Sequence, residues 1–224
     1  ASATAIRALL SDSDPDFSVL AGTMPEGALA LLQEYLATSP VLTADAFSSI
    51  LGYQLLAMDK EELEQIYDIT PDIANRIYKN RYGFHSFTQF CELNKSRDIT
   101  YTRMSRILLH TILRITKEMY LVQKETDYIP YLRLLGFQKD ATPFLSELKK
   151  KASIPLLSRL SDAKKMLSGQ PDSICNTAAL DLLQKDLFAS DLYEQVKATC
   201  SKNAVSISEY SRKILLSDGI NGFR

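Results

Sequence analysis

The chain is 224 residues long, 46% apolar and 24% charged, with a formal net charge of −1. This is the balance of a folded, core-forming protein and excludes disordered, collagen-like and disulfide-scaffold classes. No apolar run is long enough for a transmembrane helix, and Ala1 to Leu10 lacks the layout of a signal peptide.

The near-neutral total hides an uneven distribution. Residues 1–75 carry two basic side chains, Arg7 and Lys60, against twelve acidic ones. Residues 76–117 carry nine basic against two acidic, Glu92 and Asp98. A basic stretch inside a neutral chain is a candidate footprint for a polyanion. The cysteines Cys91, Cys175 and Cys200 are scattered, and only His85 and His110 supply imidazole. That usage implies reduced thiols in a cytosol, with no metal site.

Most of the chain reads as helix. The first segment, SATAIR, is a run of small and hydroxyl residues leading to Arg7. It reads either as a plain helix start capped by Ser2 or as one wall of a phosphate site. Pro25 opens PEGALALLQEYLATSP, with Ala28, Leu29, Leu32 and Leu36 in a stripe. Thr43 is placed to cap ADAFSSILGYQLLAM, and Asp59 to cap KEELEQIY with Glu62 closing a capping box. ITPDIANRIYKNRYGFHSFTQFCEL reads as two short helices around a turn at Gly83. It resembles a helix-hairpin-helix element, with Ala74, Ile77, Arg81, Phe84 and Phe87 at the pattern's positions. The usual hairpin glycines are replaced by Thr70-Pro71.

The periodicity next predicts one helix from Tyr101 to Lys117. On it Arg103, Arg106, His110, Arg114 and Lys117 fall within an arc of about 80°. Met104, Ile107, Leu108, Ile112 and Ile115 form the apolar side. No acid interrupts the ridge, whereas a solvated helix face usually mixes signs. With Lys95, Arg97 and Tyr101 just upstream, the mixture suits phosphates, sugar hydroxyls and stacked bases. Beyond it, IPYLRLLGF and IPLLSRL read as short strands that pair with each other across the helix FLSELKKKA, and TAALDLLQKDLFASDLYEQVKA is again helical. Lys149, Lys150 and Lys151 are either a second polyanion contact or a helix C-terminus satisfying its dipole. The expected architecture is therefore mainly α, a helical body with a small two-stranded β element in the latter half. A boundary is placed at KETD, giving parts 1–125 and 126–224.

Eight segments in order (SATAIR, MPEGALALL, ILGYQLLAM, IYDITPDIANRI, ITYTRMSRILLHTILRI, YLRLLGF, KKKASIPLLSRLS and LDLLQKDLFASDLY) together resemble the second half of the bacterial tRNA(Met) cytidine acetate ligase family, also described as a nucleotidyltransferase family. The tail SISEYSRKILLSDGINGFR matches least. The resemblance implies an ATP site shared with an N-terminal Rossmann-like nucleotidyltransferase domain. Ser2, Thr4 and Arg7 would form its C-terminal edge, and an HxGH motif the other wall. It also implies acetate as substrate, acetyl-adenylate as intermediate and tRNA as acceptor, in a cytoplasmic enzyme. Lys95, Arg97, Arg103, Arg106 and His110 are then the expected RNA-binding surface. No HxGH occurs in these residues, so the chain alone is expected to be inactive. The alternatives are a stand-alone RNA- or DNA-binding module and a protein–protein adaptor.

Overall fold

The structure is a computed structural model and describes residues 3–10, 15–168, 173–201 and 205–217. It is mainly α with a small β component, as the periodicity indicates. Eleven helices lie among the described residues: α1 (Ala3–Leu10), α2 (Glu26–Thr38), α3 (Ser48–Ala57), α4 (Lys60–Gln65), α5 (Pro71–Asn80), α6 (Phe87–Asn94), α7 (Tyr101–Leu113), α8 (Lys117–Glu125), α9 (Thr142–Lys151), α10 (Ala163–Leu167) and α11 (Ser173–Cys200). Four short strands, β1 (Leu132–Arg133), β2 (Gly136–Gln138), β3 (Leu156–Leu157) and β4 (Leu215–Ser217), form two parallel pairs.

The main core is built by α3 to α7. Leu51, Leu55, Leu63, Ile73, Ile77, Phe87, Phe90, Met104, Ile107 and Leu108 are all essentially inaccessible. The apolar underside expected of α7 is therefore the face that packs, and its burial drives the docking. Local signals set the boundaries. Asp59 and Glu62 close the capping box reciprocally, at 2.7 and 3.0 Å. Thr70, Ser86 and Thr100 accept from the third residue of α5, α6 and α7. Thr43 does not cap: a 3-10 turn over Ala44–Phe47 precedes α3, and the Thr43 side chain makes no cap bond.

The helix expected to run from Tyr101 to Lys117 is interrupted. α7 stops at Leu113, Arg114 adopts a left-handed conformation (φ 51°), and a new helix begins at Lys117, capped by Thr116. The connector earns its geometry from the 66–68 turn: Tyr67 N–H donates to the Ile115 carbonyl at 2.8 Å, and Ile66 bridges Thr116. These bonds satisfy backbone groups that a helix end would leave unpaired. Lys185 Nζ from α11 adds a bond to the Leu113 carbonyl at 2.9 Å.

In the latter half β1 pairs with β3 in parallel, Leu132 opposite Leu156, as the two apolar runs suggest. Sequence reading missed the second pair, in which β2 lies parallel to β4 and Phe137 faces Leu216. Here Gly136 is required by close approach, since a Cβ would sit 3.0 Å from the Leu215 carbonyl oxygen. A smaller core of Leu157, Ala163, Leu167, Ala179, Leu183 and Leu187 lies beneath. α11 also reaches the first core through Leu192, and Gln123 of α8 donates to the Ala178 carbonyl at 2.7 Å.

Candidate nucleic-acid interface

The basic ridge survives in shortened form. Arg103, Arg106 and His110 share one face of α7, but Arg114 lies past its end. The Arg114 guanidinium instead contacts Gln54 Oε1 at 3.2 Å. Lys117 opens α8 and likewise leaves the ridge. The five-membered ridge is corrected to three.

The ridge is also less cationic than its composition suggests. Asp68, brought alongside by the 66–68 turn, accepts from Arg103 Nη2 at 2.9 Å and from Arg106 Nη2 at 2.5 Å. Burial alone would raise the Asp68 pKa, but the bonds from Arg106 and Arg103 outweigh it and hold the carboxyl below its usual value. Asp68 occupies the left-handed region (φ 68°), a conformation that Asp tolerates better than most residues. His110 is half-buried, with Nδ1 3.2 Å from the Tyr67 carbonyl. Desolvation lowers its pKa, so at neutral pH it contributes a neutral imidazole rather than charge.

Beside the ridge stands an aromatic group that sequence reading did not single out. Tyr67 stacks on Tyr120 with ring centroids 4.2 Å apart, and Tyr120 meets Tyr128 at 6.1 Å. His110 lies 5.4 Å from the Tyr67 ring. Tyr128 follows Asp127, and both hold positive φ, a costly arrangement for a bulky ring. The three tyrosines come from separate segments, so no periodic signal could have joined them; only IYDITPDIANRI marked Tyr67.

The remaining site residues are spread out. Lys95 is ion-paired with Glu92, and Arg97 is exposed in the loop before α7. Ala74, Ile77 and Phe87 of the hairpin-like element are core residues, while Arg81 lies over the Tyr78 ring at 3.4 Å. Of the nucleotide-site residues, Ser2 lies outside the described residues, and so does the side chain of Thr4, which sits in α1. Arg7 is exposed in the last turn of α1, a helix without carboxylates. Burial pushes the Cys91 thiol up to about 12, so this cysteine is inert. Among the described residues, no three His, Cys, Asp or Glu side chains group to hold a metal. None of their helices is long and apolar enough to cross a membrane.

The model of the family described as HIGH Nucleotidyl Transferase matches residues 1–206. The chain belongs to this family. The match ends before β4, within the tail whose sequence resemblance is weakest. Relatives of the chain include a tRNA(Met) cytidine acetate ligase of Thermoanaerobacter sp. (strain X514), 34% identical over 152 residues, which are 68% of the chain and 34% of the relative. Another, from Caldanaerobacter subterraneus subsp. tengcongensis, is 30% identical over 195 residues, or 86% and 44%. The chain thus spans less than half the length of these ligases. In fold it resembles the Thermotoga maritima TmcAL, whose apo structure superposes with a TM-score of 0.85 at 20% identity, covering 96% of this chain and half of that one. The same protein bound with alpha-thio ATP gives 0.84 at 21% identity, covering 96% and 51%.

Proposed function

We propose that the chain is the C-terminal, tRNA-binding portion of a cytoplasmic ATP-dependent ligase that acetylates N4 of the wobble cytidine of elongator tRNA(Met). In that reaction acetate attacks the α-phosphorus of ATP, forming acetyl-adenylate and releasing pyrophosphate. The cytidine N4 amine then attacks the acetyl carbonyl, losing a proton and expelling AMP. Adenylation supplies the leaving group, and cations stabilise charge as it develops on the phosphate.

The chain's own residues divide the work. Ser2, Thr4 and Arg7 form one edge of the ATP site, with Arg7 clamping phosphate. An N-terminal nucleotidyltransferase domain carrying HxGH forms the other. Residues 1–125 hold this edge together with the basic helix, and 126–224 form a smaller unit. Arg103, Arg106 and Arg97 contact the RNA backbone, Lys95 assists from its pair with Glu92, and His110 contributes a neutral hydrogen-bonding ring.

The observation that carries this reading is the adjacency of the Arg103–Asp68–Arg106 cluster to the Tyr67–Tyr120–Tyr128 group, in a chain whose relatives are tRNA-modifying ligases. Guanidinium groups suit phosphates, and the half-buried Tyr67 and Tyr120 rings with the exposed Tyr128 ring suit unstacked bases. The test is fluorescence anisotropy of a tRNA(Met) transcript against the chain. Binding should weaken steeply with salt, and Arg106→Ala should lower the slope of log K on log salt by about 0.7 to 0.9. Absence of binding at low salt overturns the reading. ATP–acetate adenylation by the chain alone would overturn its division of labour.

A further inference from the structure

One large cavity among the described residues lies away from α1 and from the α7 ridge. It is a cleft of about 1150 Å3 between α9, the two strand pairs, α11 and the segment 207–215. Its floor is apolar, with Leu145, Leu157, Leu160 and the Phe137 ring, while Leu135 and Tyr210 stand exposed at its margin.

The charges in the cleft separate into two sets. The carboxylates are consumed internally: Arg133 bridges Asp186 at 2.6 Å and Glu209 at 2.7 Å, and Arg212 binds Glu209 at 2.9 Å and Glu194 at 2.6 Å. Ser190 Oγ adds a third donor to buried Glu209 at 2.6 Å. Lys149, Arg159 and Lys213 are left over. Among the described residues none of these three pairs with a carboxylate, and Lys149 Nζ contacts only Ser158 Oγ, at 3.3 Å. Three uncompensated cations around an apolar, ring-bearing cleft concentrate positive potential where an anion with an apolar body would sit.

We propose that this cleft is a second RNA subsite, which takes a short unpaired stretch of the tRNA. Its phosphates lie on Lys149, Arg159 and Lys213, and its splayed bases lie against Phe137, Tyr210 and the leucine floor. The inference rests on the tRNA reading above and assigns it a second contact. At about 1150 Å3 the cleft has room for a short chain segment. An extended acidic peptide would be held by adding a strand to a sheet edge. The strands here are only two or three residues long, whereas rings with guanidinium and ammonium groups fit single-stranded nucleic acid.

The experiment compares the intact chain with an Arg159→Ala/Lys213→Ala double variant and with Arg106→Ala. The probes are a labelled tRNA(Met) transcript and a labelled single-stranded pentauridylate. The double variant should bind pentauridylate roughly tenfold more weakly, with the salt slope lowered by about 1.4 for two lost phosphate contacts. Both side chains are exposed, so its unfolding midpoint should not move. Unchanged pentauridylate and tRNA binding in the double variant, with tRNA binding reduced by Arg106→Ala, overturns the cleft and leaves the tRNA reading standing. A wild-type chain that binds tRNA but not pentauridylate also overturns the cleft. A chain that binds neither probe at low salt overturns both. Displacement of pentauridylate by a penta-aspartate peptide at equal concentration assigns the cleft to acidic peptides and overturns it as an RNA site.

Discussion

Replacing Asp68 by Asn tests whether the α7 arginines are available to a phosphate. Asn keeps the size and tolerates the left-handed backbone (φ 68°), so the change removes charge with little added strain. The Asp68 side chain is 19% exposed, and those of Arg103 and Arg106 are 34% and 53% exposed. Pairs this accessible are worth about 0.2–1 kcal/mol each, and an Asn amide facing a guanidinium adds a mismatch, so the variant should lose about 1–2 kcal/mol of stability. Binding should move the other way. Local charge rises by one, and a phosphate about 6 Å from the lost carboxylate is relieved of ~0.7 kcal/mol of repulsion, roughly threefold in Kd. The measurement is tRNA anisotropy across a salt series, beside a urea melt. Tighter binding with a steeper slope is expected. Weaker binding at every salt concentration by a folded variant would refute the reasoning, because Asp68 would then be aiming the arginines rather than competing for them.

Two further outcomes follow from the same surface. His110 has a folded pKa below its ordinary value, so between the two values the unfolded chain binds a proton that the folded chain does not, and stability falls as pH drops through about 6.5. Asp68 adds a loss only at lower pH, as its depressed folded pKa is crossed. His110→Gln should flatten the urea midpoint between pH 7 and about 5.5; an unaltered pH dependence would contradict the assignment. Arg114→Gly should raise the urea midpoint, because glycine relieves a left-handed residue worth up to about 1–2 kcal/mol. It should leave tRNA affinity unchanged, and a marked loss would return Arg114 to the binding ridge.

What the sequence discloses here follows from the range of the interactions involved. The capping box at Asp59 and Glu62, the underside of α7 and the β1–β3 pairing are written in spacings of a few residues, and they are legible. The break at Arg114 is not, because helix periodicity continues through it. It is imposed by bonds to Tyr67, which lies far back in the chain. The charge of the ridge is not legible for the same reason: Asp68 is 35 residues from Arg103 and 38 from Arg106, so no local count subtracts it. The tyrosine group and the β2–β4 pair likewise join distant segments. LLS at Leu215–Ser217 carries no alternation by which to recognise a strand.

A carboxylate held between two arginines occurs twice among the described residues, and burial gives the two arrangements different meanings. Around Asp68 the arginines reach solvent, and each spends one bond on the carboxylate. A phosphate can take over those bonds without leaving an uncompensated charge in the interior. Around Glu209 the carboxylate is buried, receives three donors and joins β1, α11 and the 209–212 segment. Withdrawing Arg133 from it would strand a buried charge, a cost of several kcal/mol. Arg133 is therefore fixed in place as structure. The cations that can meet a polyanion in the cleft are Lys149, Arg159 and Lys213, which no carboxylate among the described residues pairs with. Segment charge thus misjudges both stretches: the strongly basic residues 76–117 commit part of their charge internally, while the nearly balanced residues 118–224 hold three exposed cations around one cavity.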